Sequence, residues 1–507
     1  MKPILSLVCL GASGSLALAV PVAPTDLKVN ALPNKIGLHL NEYGLSWKGE
    51  GFQSWRVLVA SSQARLAAEV GDLWDSGRGM PFSDWVGEGS PPVRYRGQAL
   101  SSGTTVWWKV RGFNEKEEAG PWSESQELKV PDREETGRNQ VVLVGGTLVS
   151  RMDKHSYLEH AITVNWPGHD ISFRNLGWPA DDVFGTARSE FGSAHNTRSW
   201  QPPKGQTGFG FEKLKGQLAE TQPSTIMIGY GAEAAFADTG EKMAFFEAGY
   251  RGLVEELEKT GARLILLTPI AQVPSGAVLT ADQADVHNAR LAKASAFILA
   301  LGKERGHLAI DLLSKSPFGK EAASSYQNGL HLNEDGYRRL AAHVGQKLGL
   351  ESVATEPVRG TPVNLERTRL GVRYDLALHQ LPSLLHAPVA SAGKGTTRIW
   401  IDGEEVVVDA RDGAVRSGPD YEQSGKLRDV IIEKNKLHRY KLNPINKAYI
   451  FLFRRHEMGH LAYEMKDFDE LVEGKEQAIA NLRAPRPHRY EHEDSREWKP
   501  PRNYPDH

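Results

Sequence analysis

The sequence predicts an α/β fold: a doubly wound, mostly parallel five-stranded sheet, with an all-β region before it and an α+β region after it. Three observations predict this. Short apolar runs at residues 141–144, 171–176, 225–230, 264–268 and 308–313 read as buried strands. Helix-periodic stretches such as 241–259 and 282–305 lie between them, and that alternation gives parallel strands joined by crossover helices. Residues 334–348 read as a final helix closing the unit.

A chain of 507 residues suggests about three domains. The start reads as a secretory signal over 1–19: Lys2, an apolar core over 4–10, then Ala17-Leu-Ala19 as a cleavage site. The alternative is a buried N-terminal helix, but charge precedes the run and the run is too short to cross a bilayer. Cys9 is the one cysteine, so a processed chain has no thiol chemistry and no disulfide. A net charge of -2 gives no field that would draw nucleic acid or anionic lipid. No later segment is apolar for long enough to span a membrane. No cofactor is implied, and the oligomeric state is not legible.

Residues 24–131 read as short strands between turns, for example 54–60 and 104–111. In the second, Val106, Trp108 and Val110 alternate with Thr105, Trp107 and Lys109, as a half-buried strand requires. Trp55, Trp74 and Trp108 read as core, although exposed aromatics could stack on sugars. The stretches Val57-Leu-Val-Ala-Ser-Ser62, Asp72-Leu-Trp-Asp-Ser-Gly77, Trp107-Trp-Lys-Val-Arg111 and Gly120-Pro-Trp-Ser123 resemble the fibronectin type III-like module at the N-terminus of bacterial rhamnosidases. The resemblance implies a β-sandwich accessory domain. A polar linker starting at Pro131 follows it.

The α/β region spans 139–352 and opens on Gln140-Val-Val-Leu-Val-Gly-Gly-Thr147. A buried strand ends in two glycines and a hydroxyl, and a helix-like pattern follows; α/β hydrolases present a nucleophile this way. The segment resembles the first block of the SGNH/GDSL hydrolases, with Gly146 and Thr147 where that family carries Asp and the nucleophilic Ser. The resemblance implies a flavodoxin-like sheet and hydrolysis of ester bonds, acylated carbohydrate among them. A hydroxyl attacks, a His oriented by an Asp takes its proton, and a backbone N–H with an Asn amide holds the oxyanion.

Carried over block by block, the oxyanion N–H falls on Ala180 in Asn175-Leu-Gly-Trp-Pro-Ala-Asp181, a mild change if its φ is negative. The oxyanion Asn falls on Glu233, where a carboxylate would repel developing charge. The final block, Asn328-Gly-Leu-His331, keeps the His and replaces its Asp with Asn328, which can present the wrong imidazole tautomer. The plainer reading of Thr147 is a helix cap. A subgroup of bacterial GDSL-like proteins resembles this chain more fully, with Thr and Asn-Gly-x-His at the same places and a tail like Leu427 to Leu482. In that light Glu233 alone is peculiar to this sequence.

The remaining sequence reads as an α+β extension over 356–484 and an extended or disordered tail over 485–507, rich in Pro, charge and His. Two strands flank the Asp402-Gly403 turn, and 427–436 and 468–482 read as helices. His456-Glu457-Met-Gly-His460 fits the zinc-peptidase pattern and raises a metallopeptidase alternative. Arg454 and Arg455 before it, a strand-like run over 448–453 and the lack of a clear third ligand favour a plain surface helix, so no metal is expected. A third reading keeps the α/β cleft for carbohydrate binding without catalysis, which Glu233 favours.

Overall fold

The computed structural model describes residues 20–31, 35–36, 43–49, 54–77, 93–98, 100–101, 103–116, 118–130, 139–189, 209–276, 278–350, 360–367, 371–378, 380–386, 399–406, 415–451 and 454–493. The signal segment over 1–19 lies outside them, as do 494–507 of the tail. Two compact units result. One holds the described residues from 20 to 130 apart from 35–36; the other holds 35–36 and those from 139 to 493.

Among its described residues the first unit is all-β apart from one short helix, α1 (Gln63–Ala67). Strands β1 (Thr25–Ala31), β2 (Tyr43–Lys48) and β5 (Val93–Arg94) form one antiparallel sheet. Strands β3 (Ser54–Ala60), β4 (Trp74–Asp75), β6 (Thr105–Phe113) and β7 (Gln126–Lys129) form another, in the order β4-β3-β6-β7. Val106, Trp108 and Val110 are buried and pack with Trp47, Val57 and Trp74. Trp108 and Trp74 are therefore core, and Trp55 is half-buried against the same cluster.

The second unit opens with the predicted parallel sheet. Its strands are β8 (Asn139–Gly145), β9 (Ile171–Asn175), β10 (Thr225–Gly229), β11 (Arg263–Leu267) and β12 (Leu308–Ile310), ordered β12-β11-β10-β8-β9. All four pairings are parallel. Numbered within the sheet this is 2-1-3-4-5, the flavodoxin-like order. Along β8 the side chains alternate: Val141 and Leu143 join one apolar cluster, Val142 and Val144 the other. Both clusters are buried, so each face must be covered by helices. After β8 come the short helix α2 (Thr147–Ser150), a 3₁₀ turn over Arg151–Lys154 and α3 (Tyr157–Asn165). Helices α3 and α7 (Glu334–Leu348) cover one face; α4 (Phe209–Thr221), α5 (Gly240–Glu258) and α6 (Ala281–Arg305) cover the other. Asn333 caps α7 through Gly336 N–H, and Gly349 ends it at φ 80°.

The extension belongs to this unit. Strands β13 (Gly360–Arg367), β14 (Gly371–Leu378), β15 (Ile399–Ile401), β16 (Glu404–Val406) and β17 (Pro487–Glu493) form an antiparallel sheet ordered β13-β14-β17-β15-β16. The polar stretch 487–493 is thus extended and central. Helix α8 (Pro419–Leu442) runs well beyond the predicted 427–436, with Pro419 at its first turn. It packs Leu427 and Ile431 against Val164 of α3 and Ile479 of α11 (Asp467–Leu482). Between them lie α9 (Lys447–Ile450) and α10 (Arg455–Met458). The start of the strand-like run 448–453 is therefore helical; six apolar residues cannot by periodicity alone distinguish strand from helix.

Buried charge holds α8 to the sheet. Lys434 Nζ bonds Glu159 of α3. Asn435 Nδ2 donates to the same carboxylate at 2.7 Å, and Arg174 of β9 pairs with Glu476 of α11 at 2.5 Å. Burial pushes the Glu159 carboxyl up, and Lys434 opposes it.

Candidate active site

Parallel strands carry their loops to one edge, where ligands sit in open α/β sheets. Gly146 and Thr147 directly follow β8, Ala180 follows β9 and Glu233 follows β10. The loop with Asn328 and His331 joins the same edge. Arg151 Nη2, one turn after Thr147, donates to Gln327 Oε1 at 2.7 Å, and Val273 N–H, after β11, donates to Gly329 O at 2.9 Å.

Thr147 is the first residue of α2, and Gly146 occupies the capping position with no side-chain cap. The helix-cap reading of Thr147 is therefore wrong. Its Oγ1 instead accepts the Ala180 backbone N–H at 2.8 Å, so the two positions expected from sequence to supply nucleophile and oxyanion donor are in direct contact. Gly146 has a steric reason to lack a side chain: a Cβ there would stand 2.7 Å from Asp181 O.

The condition for Ala180 being a mild change, a negative φ, is not met: its φ is 58°. A Cβ in the left-handed region costs on the order of 1–2 kcal/mol, which is why Gly suits this place. The surrounding loop enforces the conformation. Fully buried Arg188 donates to Leu176 O and Gln217 Oε1, each at 2.7 Å, and pairs with Asp181. Tyr230 OH donates to the same Asp181 carboxylate at 3.0 Å. From α8, Arg439 donates to Gly177 O at 2.5 Å and to Asp153 Oδ2 at 2.7 and 3.0 Å, tying this loop to the turn behind Thr147. Burial still pushes Asp153 up to about 6 against the pull of Arg439.

Glu233 lies in a 3₁₀ turn, Ala232–Phe236, and its Oε2 accepts Gly231 N–H at 2.9 Å. Its Oε1 is buried without a hydrogen-bond partner among the described residues. Burial pushes the carboxyl up to about 7, the Asp182 charge adds to the rise, and backbone N–H groups of Glu233, Gly231 and Val183 oppose it. Glu233 therefore holds a proton for part of the time at neutral pH, and a protonated carboxyl is a donor.

Asn328 Oδ1 accepts the backbone N–H of His331 at 2.9 Å and of Leu330 at 3.3 Å. With the oxygen so engaged, the amide turns Nδ2 toward His331 Nδ1, 3.1 Å away. An amide NH₂ only donates, so Nδ1 is the acceptor and the ring proton sits on Nε2. Among the described residues no hydrogen bond joins Thr147 to the His331 ring. Burial lowers the imidazole pKa, and Arg151 and Lys154 lower it further.

His456 and His460 do not share one α-helix: α10 ends at Met458 and a 3₁₀ turn takes over from Gly459. Glu457 pairs with Arg454 at 2.5 Å. Among the described residues no group of three or more His, Cys, Asp or Glu is placed to hold a metal. No described helix is long and apolar enough to cross a membrane.

Arg151, Lys154, Arg188 and Arg439 were not anticipated from sequence. The first two could have been: they follow Thr147 within two turns. Arg439 lies more than 250 residues from its partners and leaves no local signal.

Residues 24–130 match the model of a family described as Rha78A-like, N-terminal immunoglobulin domain. An alpha-L-rhamnosidase of Formosa agariphila is 26% identical over 138 residues, which is 26% of this chain and only 14% of that protein. The solved structure of BT4096, a gut microbial diltiazem-metabolizing enzyme, aligns with 70% of this chain and 98% of its own at 11% identity and a TM-score of 0.51. A lipase/acylhydrolase from Enterococcus faecalis aligns with 41% of this chain and 95% of its own at 16% identity and a TM-score of 0.31. The chain thus carries a Rha78A-like N-terminal immunoglobulin domain, and over most of its length it shares a fold with that gut microbial enzyme.

Proposed function

We propose that the α/β unit is an SGNH-type ester hydrolase of low turnover that acts on acylated carbohydrate, in a chain exported through the signal over 1–19. The observation that carries this is the contact between Thr147 Oγ1 and Ala180 N–H. It joins the attacking hydroxyl to the N–H that would hold an oxyanion, at the sheet edge where His331 also lies. In this reading Thr147 attacks the acyl carbon, His331 takes the hydroxyl proton, and Ala180 N–H with protonated Glu233 stabilises the oxyanion. Turnover is low because the favoured tautomer of His331 has its lone pair on Nδ1. Only the minor tautomer accepts the proton from Thr147.

A specific observation favours a second reading, carbohydrate binding without hydrolysis. The Asn328–His331 contact leaves the ring proton on Nε2, so that nitrogen donates where a general base would accept. The immunoglobulin-like domain is an accessory in both readings.

The test is hydrolysis of acetylated xylo-oligosaccharide and of p-nitrophenyl acetate by the full chain, with Thr147→Ala and His331→Ala as controls. Slow acetate release lost in both variants supports the hydrolase. Binding of the oligosaccharide with no release by any form supports the second reading.

A further inference from the structure

Beside Thr147 the described charged groups that act on the His331 ring are both cations. Arg151 and Lys154 lie one and two turns after Thr147 on the same short segment. Arg151 is half-buried, with Nη2 on Gln327 Oε1 and a buried Nε–H that has no partner among the described residues. Lys154 is exposed. The residue that orients the ring, Asn328, carries no charge. The acids nearby in sequence already have cations: Asp153 pairs with Arg439, and Glu334 and Asp335, three and four residues after His331, pair with Arg428 and with Arg338 and Arg339. The half-buried His331 ring presents Nε2–H, a donor without a partner among the described residues. This local positive charge stands out in a chain whose formal net charge is -2.

Donors without acceptors and cations without counter-ions have one complement, a ligand that carries negative charge. We propose that this cleft recognises an anionic glycan, its carboxylate or sulfate group held by Arg151, Lys154 and the Nε2–H of His331. The proposal rests on the reading of the cleft as a carbohydrate site and names the class of carbohydrate. An anion bound here draws a proton onto His331, because the fields of Arg151 and Lys154 are then neutralised. The acyl group would sit on the Thr147 side, and the acidic group on the Arg151 side.

The test is calorimetric titration of the full chain at low and high salt. The probes are oligogalacturonate (carboxylate), dextran sulfate oligomer (sulfate) and a neutral acetylated xylo-oligosaccharide of similar length. One acidic probe should bind at least about tenfold tighter than the neutral one, and whichever does so identifies the anionic group. Lys154→Glu, at an exposed position, and Arg151→Gln should each remove most of that preference. Lys303→Glu, remote on α6, should leave it. The His331 ring nitrogens, followed by NMR, should titrate at higher pH when the acidic probe is bound. Equal binding of neutral and acidic probes overturns the proposal, as does equal loss in Lys303→Glu or an unmoved His331 titration. Absence of ester hydrolysis alongside selective acidic binding would reject the hydrolase reading and leave this one standing.

Discussion

Asn328 and His331 are joined twice: the side-chain oxygen accepts the histidine's backbone N–H at 2.9 Å, and the amide nitrogen faces its Nδ1 at 3.1 Å. The first contact fixes the second. Asn328→Asp keeps the backbone contact and replaces the donor with an acceptor, which moves the ring proton to Nδ1 and frees Nε2. The wrong tautomer costs on the order of 10⁴ in a serine protease triad, so a large gain is available. Hydrolysis of p-nitrophenyl acetate should rise in Asn328→Asp and rise further with Thr147→Ser and Glu233→Asn added, and His331→Ala should abolish it. A triple variant no faster than the wild type would show that the cleft lacks more than these groups.

Glu233 predicts a pH-dependent stability. Its carboxyl is at about 7 in the fold against 4.5 when free. The folded state binds that proton more tightly, so this stabilisation is complete below 4.5 and lost as pH rises toward 7. The loss levels off above that, at about 3 kcal/mol at most. Glu233→Gln never ionises. Its stability relative to wild type should therefore be greater at pH 8 than at pH 5 by an amount of that order. Urea unfolding at the two pH values measures it, and an unchanged difference would mean that Glu233 is ionised throughout.

Lys434→Met should be among the most destabilising single changes in the second unit. It leaves Glu159 buried without its cation, a defect worth roughly 3–5 kcal/mol. Adding Glu159→Leu removes the stranded charge and should recover most of the loss. Urea midpoints for the single and double variants would show this; equal losses would mean that packing, not charge, dominates.

Ala180→Gly should be neutral or stabilising by up to about 1 kcal/mol, because Gly accepts φ 58° without strain. Ala180→Val should destabilise by about 1–3 kcal/mol, since a β-branched residue tolerates that conformation poorly. Thermal melts would rank the three.

The sheet was legible because β8, β10 and β11 are buried on both faces and read as short apolar runs between helical patterns. Helix α7 was legible to the residue because Asn333 and Gly349 mark its ends. Thr147 was found through the two glycines before it. The conformation of Ala180 was not, because alanine does not mark the left-handed region as glycine does. The roles of Arg439 and Lys434 were hidden for a different reason: pairs across hundreds of residues leave no periodic trace. Strand β17 was hidden by its composition. Its His, Arg and Glu side chains suggested a tail, yet Arg489 pairs with Glu366 and Asp375, Arg373 with Glu491, and Tyr490 stacks on Tyr374.

Because β17 lies between β14 and β15, synthesis reaches the middle of this sheet after both of its sides. The hairpins β13-β14 and β15-β16 can each form as the chain emerges, but the outward edges of β14 and β15 then wait uncovered. Every backbone group on those edges is a template for another strand until Pro487–Glu493 arrives. Interrupting translation before residue 487 would not yield a slightly shortened protein. It would yield two unjoined hairpins, prone to pair with those of neighbouring chains.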